Sequence, residues 1–311
     1  MTETQHSDEP ALAAATAKAA RAVVGGEMET KQPAGTRARL LFRRILIAIP
    51  LIALVAWTVA PFLVTLSVSF KERAEVFADP SLIPSSPTLD AYREVLASES
   101  FTTSFLNSLI VGIGTTVLTI LIGVPAAYAF ARFRFRGRHL LLLFTLLPRL
   151  VPSIGLMVPI YRLAVVAGLL DKRITLIIVY TAMLLPLAVW LMVGFFQQIP
   201  REIEEAANVD GASLWGRLRY IVAPLAAPAM ITIGVLAFRE AWNEFTLVLV
   251  LTNTPGKRTL PFELYLMQGI EGIANFPGEA AFTILTVLPF ILVYTRIEKY
   301  VVAGLISGSG K

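Results

Sequence analysis

The sequence contains no cysteine and only two histidines, which excludes several kinds of site. Without cysteine, the chain can form neither a disulfide nor a thiolate metal site. His6 and His139 lie far apart along the chain, and His6 lies in a polar tail. We therefore predict no metal site.

The sequence also lacks a set of residues that could carry out catalysis. It has no G-x-x-x-x-G-K-[ST] motif for binding nucleotide phosphates. Its ending, Gly308-Ser309-Gly310-Lys311, resembles part of that motif, but the glycine required before it is missing. No acid pair and no Ser/His/Asp set is visible. We predict no catalytic residue and no cofactor bound by this chain.

Charged residues are scarce, at 16% of the chain, whereas 56% of the residues are apolar. This composition is too apolar for an ordinary soluble domain. Charge-free apolar runs recur that can cross a hydrocarbon core of about 30 Å, which takes about 20 helical residues. We predict an all-α membrane protein with six transmembrane helices. The predicted spans are Ile45–Phe70, a segment within Leu106–Ala131, about Leu140–Tyr161, Ile174–Ile199, a run from near Tyr220 to Leu251, and Ala280–Thr295.

Six spans place both termini on the same side of the membrane. Fourteen Lys and Arg residues flank the span ends assigned to the cytoplasm, and eight flank the others. Because basic residues accumulate on the cytoplasmic side, we expect both termini there. The fifth apolar run is longer than one crossing needs, so we expect it to project, break or line a wet cavity.

The regions outside the predicted spans divide into tails and loops. Residues 1–39 form a polar tail that we expect to be cytoplasmic and mostly disordered, with at most a marginal helix near Ala11–Val24. Residues 40–306 form the membrane domain, and 307–311 form a short tail. The predicted external segments are Lys71–Ser100, Gly168–Arg173 and Thr252–Glu279, the last with a short helix at Phe262–Gly269.

One charged stretch between two apolar runs, Pro200–Pro228, predicts a short cytoplasmic helix. Pro200 suits a first helical position, and Gly211 suits a left-handed residue at the C-terminal end. Three glutamates crowd the first turn, where negative charge meets the positive helix end. We predict a helix from Pro200 to Val209 and a second helical run from near Ser213. The coupling loop spans residues 200–219.

The same stretch resembles the "EAA" loop of permease subunits of ATP-binding-cassette (ABC) importers. The resemblance rests on Glu205-Ala206-Ala207, then Gly211, Ile221 and Pro224 at the family's spacing, with Asp210 and Ala212 extending it. Further segments are similar to the carbohydrate-uptake branch, and most of all to the maltose-type permease with six spans. They are Asn107-Ser108, Ala126–Arg132 with Phe135 and Gly137, Trp242–Phe245 and Val302–Leu305.

This resemblance implies the activity, the partners and the location. Two permease subunits, usually non-identical, form a pathway in the bacterial cytoplasmic membrane, and an external binding protein delivers a sugar. A pair of cytoplasmic ATPases binds ATP and Mg²⁺, and the short helix contacts one of them. The residues expected at that contact are Glu205, Ala206, Ala207, Asp210, Gly211 and Ala212. An alternative role for Glu205 is stabilisation of its own helix N-terminus.

Charged residues within or beside the apolar runs are candidates for the transport pathway. Intramembrane charge is expensive and usually faces a cavity or a partner. We predict that Arg239–Glu244 lines the outer half of the pathway, with Trp242 available to stack on a sugar. Alternatively, Arg149 and Arg239 neutralise the glutamates and Trp242 anchors at the membrane interface. The candidates are Arg149, Arg239, Glu240, Trp242, Asn243 and Glu244.

Several other features have more than one interpretation. The arginines that alternate with Phe133 and Phe135 after the second span indicate a membrane-interface loop rather than nucleic-acid binding. Prolines in the spans are interpreted as tolerated rather than as hinges. Gly112 and Gly114 are expected to permit close helix packing. Two other functions remain open at this point: an ion-coupled secondary transporter that uses the intramembrane charges, and a membrane-embedded enzyme.

Overall fold

The computed structural model describes residues 34–269 and 275–309, and every regular element in these ranges is helical. The helices are α1 (Ala34–Val68), α2 (Arg73–Ala78), α3 (Asp90–Ala97), α4 (Glu99–Arg132), α5 (Arg138–Leu146), α6 (Ser153–Val166), α7 (Arg173–Gln198), α8 (Arg201–Val209), α9 (Leu214–Arg217), α10 (Ala223–Leu225), α11 (Ala227–Asn243), α12 (Val248–Leu251), α13 (Leu260–Gly269) and α14 (Phe276–Ser309). Short 3-10 turns occupy Leu147–Leu150 and Pro255–Lys257, and a π turn occupies Leu218–Val222.

The chain divides into two units, Met1–Pro61 and Phe62–Lys311. The described part of the first unit is the N-terminal portion of α1, whose described side chains are almost all exposed. Because α1 begins at Ala34, its start falls inside the range expected for the polar tail. The predicted marginal helix at Ala11–Val24 lies outside the described residues.

Three helices in the described ranges are long and apolar enough to cross a membrane: Arg44–Val68, Glu99–Arg132 and Arg173–Gln198. Two bent helix pairs, one over Arg138–Val166 and one over Leu214–Asn243, raise the number of candidate spans to five if each pair crosses once. The long C-terminal helix α14 contributes a shorter apolar segment, Phe276–Leu292. The all-helical membrane class is therefore confirmed, with three to five candidate spans.

The bends fall where prolines interrupt the helical hydrogen bonds. The pair α5–α6 bends by 98° at a break flanked by Pro148 and Pro152, and the second pair bends by 79° between Pro224 and Pro228. Proline lacks an N–H donor and its ring clashes with the preceding turn, so it bends a helix. Pro159 lies inside α6 without such a break, whereas the other four prolines flank the bends. The interpretation of these prolines as tolerated rather than as hinges stays a prediction, because a bend is not itself a movement.

The third predicted span, about Leu140–Tyr161, is therefore not one continuous helix. The fifth apolar run also breaks, which is one of the three alternatives predicted for it. Its long helix α11 ends at Asn243, and the short helix α12 follows. The predicted helix at Phe262–Gly269 is confirmed as α13.

Small residues bring the central helices into close contact. A Cβ atom added to Gly112 would lie 2.8 Å from the ring of Phe238 on α11, and one added to Gly114 would lie 2.6 Å from Ile177 on α7. The expectation of close packing at both glycines is confirmed. The main core cluster joins α4, α7 and the α9–α11 region, and includes Ala127, Tyr128, Met192, Phe196, Val222 and Ala229.

Helices α4 and α7 run parallel to each other. Near their N-terminal ends, Asn107 Nδ2 and Arg173 Nη2 both donate to the carbonyl oxygen of Gly256, at 3.0 Å and 3.2 Å. At their C-terminal ends, Arg132 Nη2 donates to the carbonyl oxygen of Ile199 at 3.0 Å. Both ends of the two helices are thus fixed side by side.

Candidate functional site

The predicted short helix after α7 is α8, and it ends as its sequence predicted. Gly211 adopts φ +85°, a left-handed conformation. The amide of Ala212 donates to the carbonyl of Ala207 at 2.9 Å, and that of Gly211 donates to Asn208 at 3.1 Å. These two bonds form a Schellman motif, which satisfies carbonyls at the helix end. At the other end, Pro200 is the capping residue rather than the first helical one.

The two faces of α8 differ in exposure. Glu204 and Ala207, three residues apart on one face, are buried inside the chain. Glu205, Ala206 and Val209 are exposed, and Val209 is 86% exposed. We call these three residues the outer face of α8. Of the other predicted contact residues, Asp210 and Gly211 are exposed and Ala212 is half-buried.

The buried face of α8 is held by an ionic cluster that the sequence analysis missed. We call Tyr128, Arg132 and Glu204 the Glu204 cluster. The Tyr128 hydroxyl donates to Glu204 Oε2 at 2.6 Å. Arg132 Nε lies 2.5 Å from Glu204 Oε1 in an ion pair that is not aligned as a hydrogen bond. Each of the two charged side chains is only 9% exposed.

A sequence signal for this cluster existed on α4. Tyr128 and Arg132 are four residues apart, so they share one face of the helix. In the sequence alone, Arg132 belongs to the basic residues after the second span and to the Ala126–Arg132 similarity, and Glu204 belongs to the acidic first turn of the short helix. The partner of the arginine could not be identified because it lies on a helix distant in sequence.

The second helical run begins beside Ser213, as predicted, and Ser213 also caps it. Ser213 Oγ accepts a hydrogen bond from the amide of Gly216 at 3.1 Å and caps α9. Beside it, Leu214 is 45% exposed and Trp215 is 61% exposed. Exposed apolar side chains therefore follow the outer face of α8 along the chain.

The structure brings most of the predicted pathway residues together at the end of α11. Arg239 Nη2 lies 2.5 Å from Glu240 Oε1, and both side chains are about half exposed, at 52% and 42%. Asn243 is exposed, and its amide donates to the carbonyl of Arg239 at 2.9 Å. Arg149 belongs to a different element. It lies exposed in the 3-10 turn at the α5–α6 break.

Glu244 is held differently from Glu240. Its Oε2 accepts from the Tyr180 hydroxyl at 2.7 Å, and its Oε1 accepts from the amide of Leu247 at 2.9 Å. The amide of Val248 also points to Oε2, at 3.3 Å. Glu244 therefore caps the turn into α12, and among the described side chains its partners are hydrogen-bond donors rather than cations.

Trp242 lies in an aromatic stack and is only 5% exposed. Its ring stacks on Phe238 with centroids 5.2 Å apart and meets Phe105 edge-on at 5.8 Å. The same three rings border an apolar cavity of about 290 Å³ between α4, α11 and α14. In this conformation Trp242 presents little ring surface outside the stack.

A model of the family described as "Binding-protein-dependent transport system inner membrane component" matches residues 119–307. The chain belongs to this family of permeases. It is therefore a non-catalytic transport subunit and a multi-pass protein of the inner membrane, and this membership decides against an ion-coupled secondary transporter and a membrane-embedded enzyme.

Several relatives of this permease belong to assigned transport systems, including the following two. It is 36% identical over 258 residues to the trehalose transport system permease protein SugB of Mycobacterium tuberculosis, covering 83% of this chain and 94% of that protein. It is 32% identical over 273 residues to the trehalose/maltose transport system permease protein MalG of Thermococcus litoralis, covering 87% and 98%.

A solved structure has the same fold as the permease. It is a chain of a bacterial ABC transporter involved in the import of the acidic polysaccharide alginate, with a TM-score of 0.73 and 26% identity. The match covers 85% of this chain and 98% of that one. A second alginate transporter structure, in complex with an alginate pentasaccharide-bound periplasmic protein, matches at 15% identity and a TM-score of 0.58, which supports the fold alone.

In the segments expected to be external, two charged side chains form hydrogen bonds with the backbone. Asp171 Oδ1 accepts from the amides of Asn253 and Thr254 at 2.9 Å and 3.1 Å. Burial opposes ionisation of Asp171, but hydrogen bonds from Thr254 and Asn253 outweigh it and lower its pKa. Lys71 is 4% exposed and donates to the carbonyls of Asp79 and Ser81, both at 2.7 Å.

Proposed function

We propose that this permease forms half of the translocation pathway of a carbohydrate importer. Support comes from the relatives, whose assigned systems carry trehalose and maltose, and from the alginate transporter of the same fold. Its partners are a second permease subunit, an external sugar-binding protein and a pair of cytoplasmic ATPases, which hold the ATP and Mg²⁺. The family description, a binding-protein-dependent transport system, supports the external binding protein in this set.

The observation that carries the proposal is the outer face of α8. A helix of nine residues buries Glu204 and Ala207 against its own chain, yet leaves Val209 86% exposed. Leaving a large apolar side chain exposed forfeits hydrophobic stabilisation that a partner can supply. Glu205 and Ala206 on the same face add a charge and a site of close backbone approach. We propose that this face docks into a cleft on one ATPase, with Asp210, Gly211 and Ala212 shaping the turn that ends it.

We further propose six membrane crossings with both termini in the cytoplasm. The parallel arrangement of α4 and α7 requires the segment between them to return across the bilayer, so the bent pair α5–α6 counts as one crossing. The bent pair Leu214–Asn243 and the apolar start of α14 supply the last two. The excess of Lys and Arg at the assigned cytoplasmic ends supports the orientation.

The pathway proposal now centres on the end of α11. The half-exposed Arg239 and Glu240 and the exposed Asn243 can face a wet path, as charges inside membrane proteins commonly do. Trp242 would contribute an edge of its aromatic stack. Glu244 would hold the start of α12 in place through its hydrogen bonds to the backbone amides there. Arg149 would line the pathway separately, at the α5–α6 break.

The docking proposal is tested by changing the backbone at Gly211. Nothing lies within 4 Å of a Cβ added there, so a substitution acts through φ +85° rather than through a clash. Valine resists this conformation, whereas asparagine tolerates it. We expect Gly211→Val to lower ATPase co-purification from the native host and sugar uptake together, and Gly211→Asn to retain both. Normal assembly and uptake with valine would overturn the docking role.

The pathway proposal is tested with a single thiol. Because the chain has no cysteine, Asn243→Cys introduces a unique reactive site. We expect a water-soluble thiol reagent to modify it in at least one state of the transport cycle. As a matched control, a cysteine at the fully buried Val111 on α4 should not react. An Asn243→Cys thiol that reacts in no state would remove the pathway role.

A further inference from the structure

We infer that Arg132 is a positioning residue that joins the coupling helix α8 to the end of α4, so that the two helices move together. The inference rests on the proposed docking of α8 to an ATPase. It concerns the buried face of α8, whereas the docking proposal concerns the outer face.

Arg132 connects three elements at one point. Its Nη2 donates to the carbonyl of Ile199 at the end of α7, and its Nε pairs with Glu204 on α8. The arginine itself is the last residue of α4. Its planar guanidinium can hold two acceptors at fixed angles, which a lysine ammonium does not.

Tyr128 adds a second attachment between α4 and α8. Its hydroxyl donates to Glu204, and its ring meets Phe196 of α7 edge-on with centroids 6.0 Å apart. The Glu204 carboxylate therefore receives one neutral and one charged partner, both from α4. Removing one partner of a buried ion pair is strongly destabilising, so we take Arg132 as the dominant partner.

Burial makes this connection stiff. Both charged side chains are 9% exposed, so separating them would leave each charge without water to replace its partner. A displacement of α8 that preserves the pair must carry the end of α4 with it. The covalent link through Pro200 connects α8 directly to α7, and the Glu204 cluster connects α8 directly to α4.

Movement of α4 reaches the proposed pathway through direct packing. Gly112 on α4 lies against the ring of Phe238, which stacks on Trp242. Phe105, also on α4, contacts Trp242 edge-on. The helix that receives the force at Arg132 thus contacts the pathway end of α11 near its other end.

The test compares substitutions in the complete importer reconstituted with its ATPases and binding protein. We expect Arg132→Gln to retain ATPase co-purification but to lower the number of sugar molecules transported per ATP hydrolysed, because α8 then moves without carrying the end of α4. Arg132→Lys, which retains the charge, should recover part of this ratio. Arg134→Gln changes an exposed arginine two residues away and should leave the ratio unchanged.

Tyr128→Phe provides a milder variant should Arg132→Gln fail to assemble. It retains the ring packing against Phe196 and removes only the hydroxyl, so we expect a smaller loss of the same ratio. A wild-type ratio in assembled Arg132→Gln importers, or in Tyr128→Phe importers where Arg132→Gln does not assemble, would overturn the inference. Failure of the wild-type chain to co-purify with any ATPase would instead overturn the proposed function.

Discussion

Two ion pairs of equal length lie in very different surroundings in this permease. Arg132 and Glu204 are 2.5 Å apart with side chains 9% exposed, and they join two helices. Arg239 and Glu240 are also 2.5 Å apart, but they are sequence neighbours with side chains 52% and 42% exposed. The comparison teaches that distance alone does not decide what an ion pair contributes. Burial and the elements that the pair joins decide it.

The largest expected effect is the loss of one partner from the buried pair. Arg132→Met leaves the buried Glu204 carboxylate without its ion-pair partner, which costs about 3–5 kcal/mol of stability. The measurement is denaturant unfolding of the purified permease in detergent.

A double variant separates the charge from the packing in that experiment. Arg132→Met combined with Glu204→Met replaces the pair by apolar side chains and should recover most of the lost stability. If Arg132→Met alone were as stable as the wild type, the Glu204 cluster would have to be hydrated. The buried pair would then contribute no more to stability than the exposed pair.

An intermediate effect is expected at Glu244, which is held by hydrogen bonds instead of by a cation. Glu244→Gln cannot serve every donor that the carboxylate accepts, so we expect a loss of about 1–3 kcal/mol in the same unfolding measurement. Tyr180→Phe removes one of those donors, so its effect should be non-additive with that of Glu244→Gln. Additive losses would mean that the two side chains do not interact.

A smaller effect is expected at the exposed pair. Because solvent screens such contacts, Arg239→Gln should cost about 0–1 kcal/mol of stability. Its effect should appear in sugar uptake instead, since we propose that these side chains face the pathway. Unchanged uptake together with a large loss of stability would reverse the assignment of roles.

The smallest effect concerns pH and the carboxylate of Asp171, in a segment expected to be external. Its lowered pKa means that it stabilises the fold above its unfolded pKa of about 3.9, and that this contribution is lost as pH falls through the lower folded value. The stability difference between the wild type and Asp171→Asn should therefore shrink below about pH 4. Comparing unfolding midpoints at neutral and acidic pH checks this expectation, and a difference that grows on acidification would contradict it.

Features set by local sequence could be predicted. The C-terminal end of α8 depends on Gly211, whose left-handed conformation is a property of that one residue. The second and fourth spans depend on the length of uninterrupted apolar runs, and the structure has them as Glu99–Arg132 and Arg173–Gln198. Neither prediction needed to know what packs against the segment.

Features set by distant contacts could not be predicted in the same way. Glu204 and Glu205 are neighbours of the same type, and only the docking of α8 onto α4 decides that the first is buried. The bends at Pro152 and Pro224 depend on whether neighbouring helices satisfy the freed carbonyls, which composition does not tell. The pairing of Glu244 with Tyr180 likewise joins two separate spans.

The uneven exposure of the tryptophans gives this permease built-in optical probes. Of its four tryptophans, Trp242 is 5% exposed and Trp215, which follows α8 along the chain, is 61% exposed. An aqueous quencher such as iodide reaches Trp215 and not Trp242, and a subunit that covers α9 shields the former. A variant that retains only Trp215 thus converts subunit association into a label-free fluorescence signal.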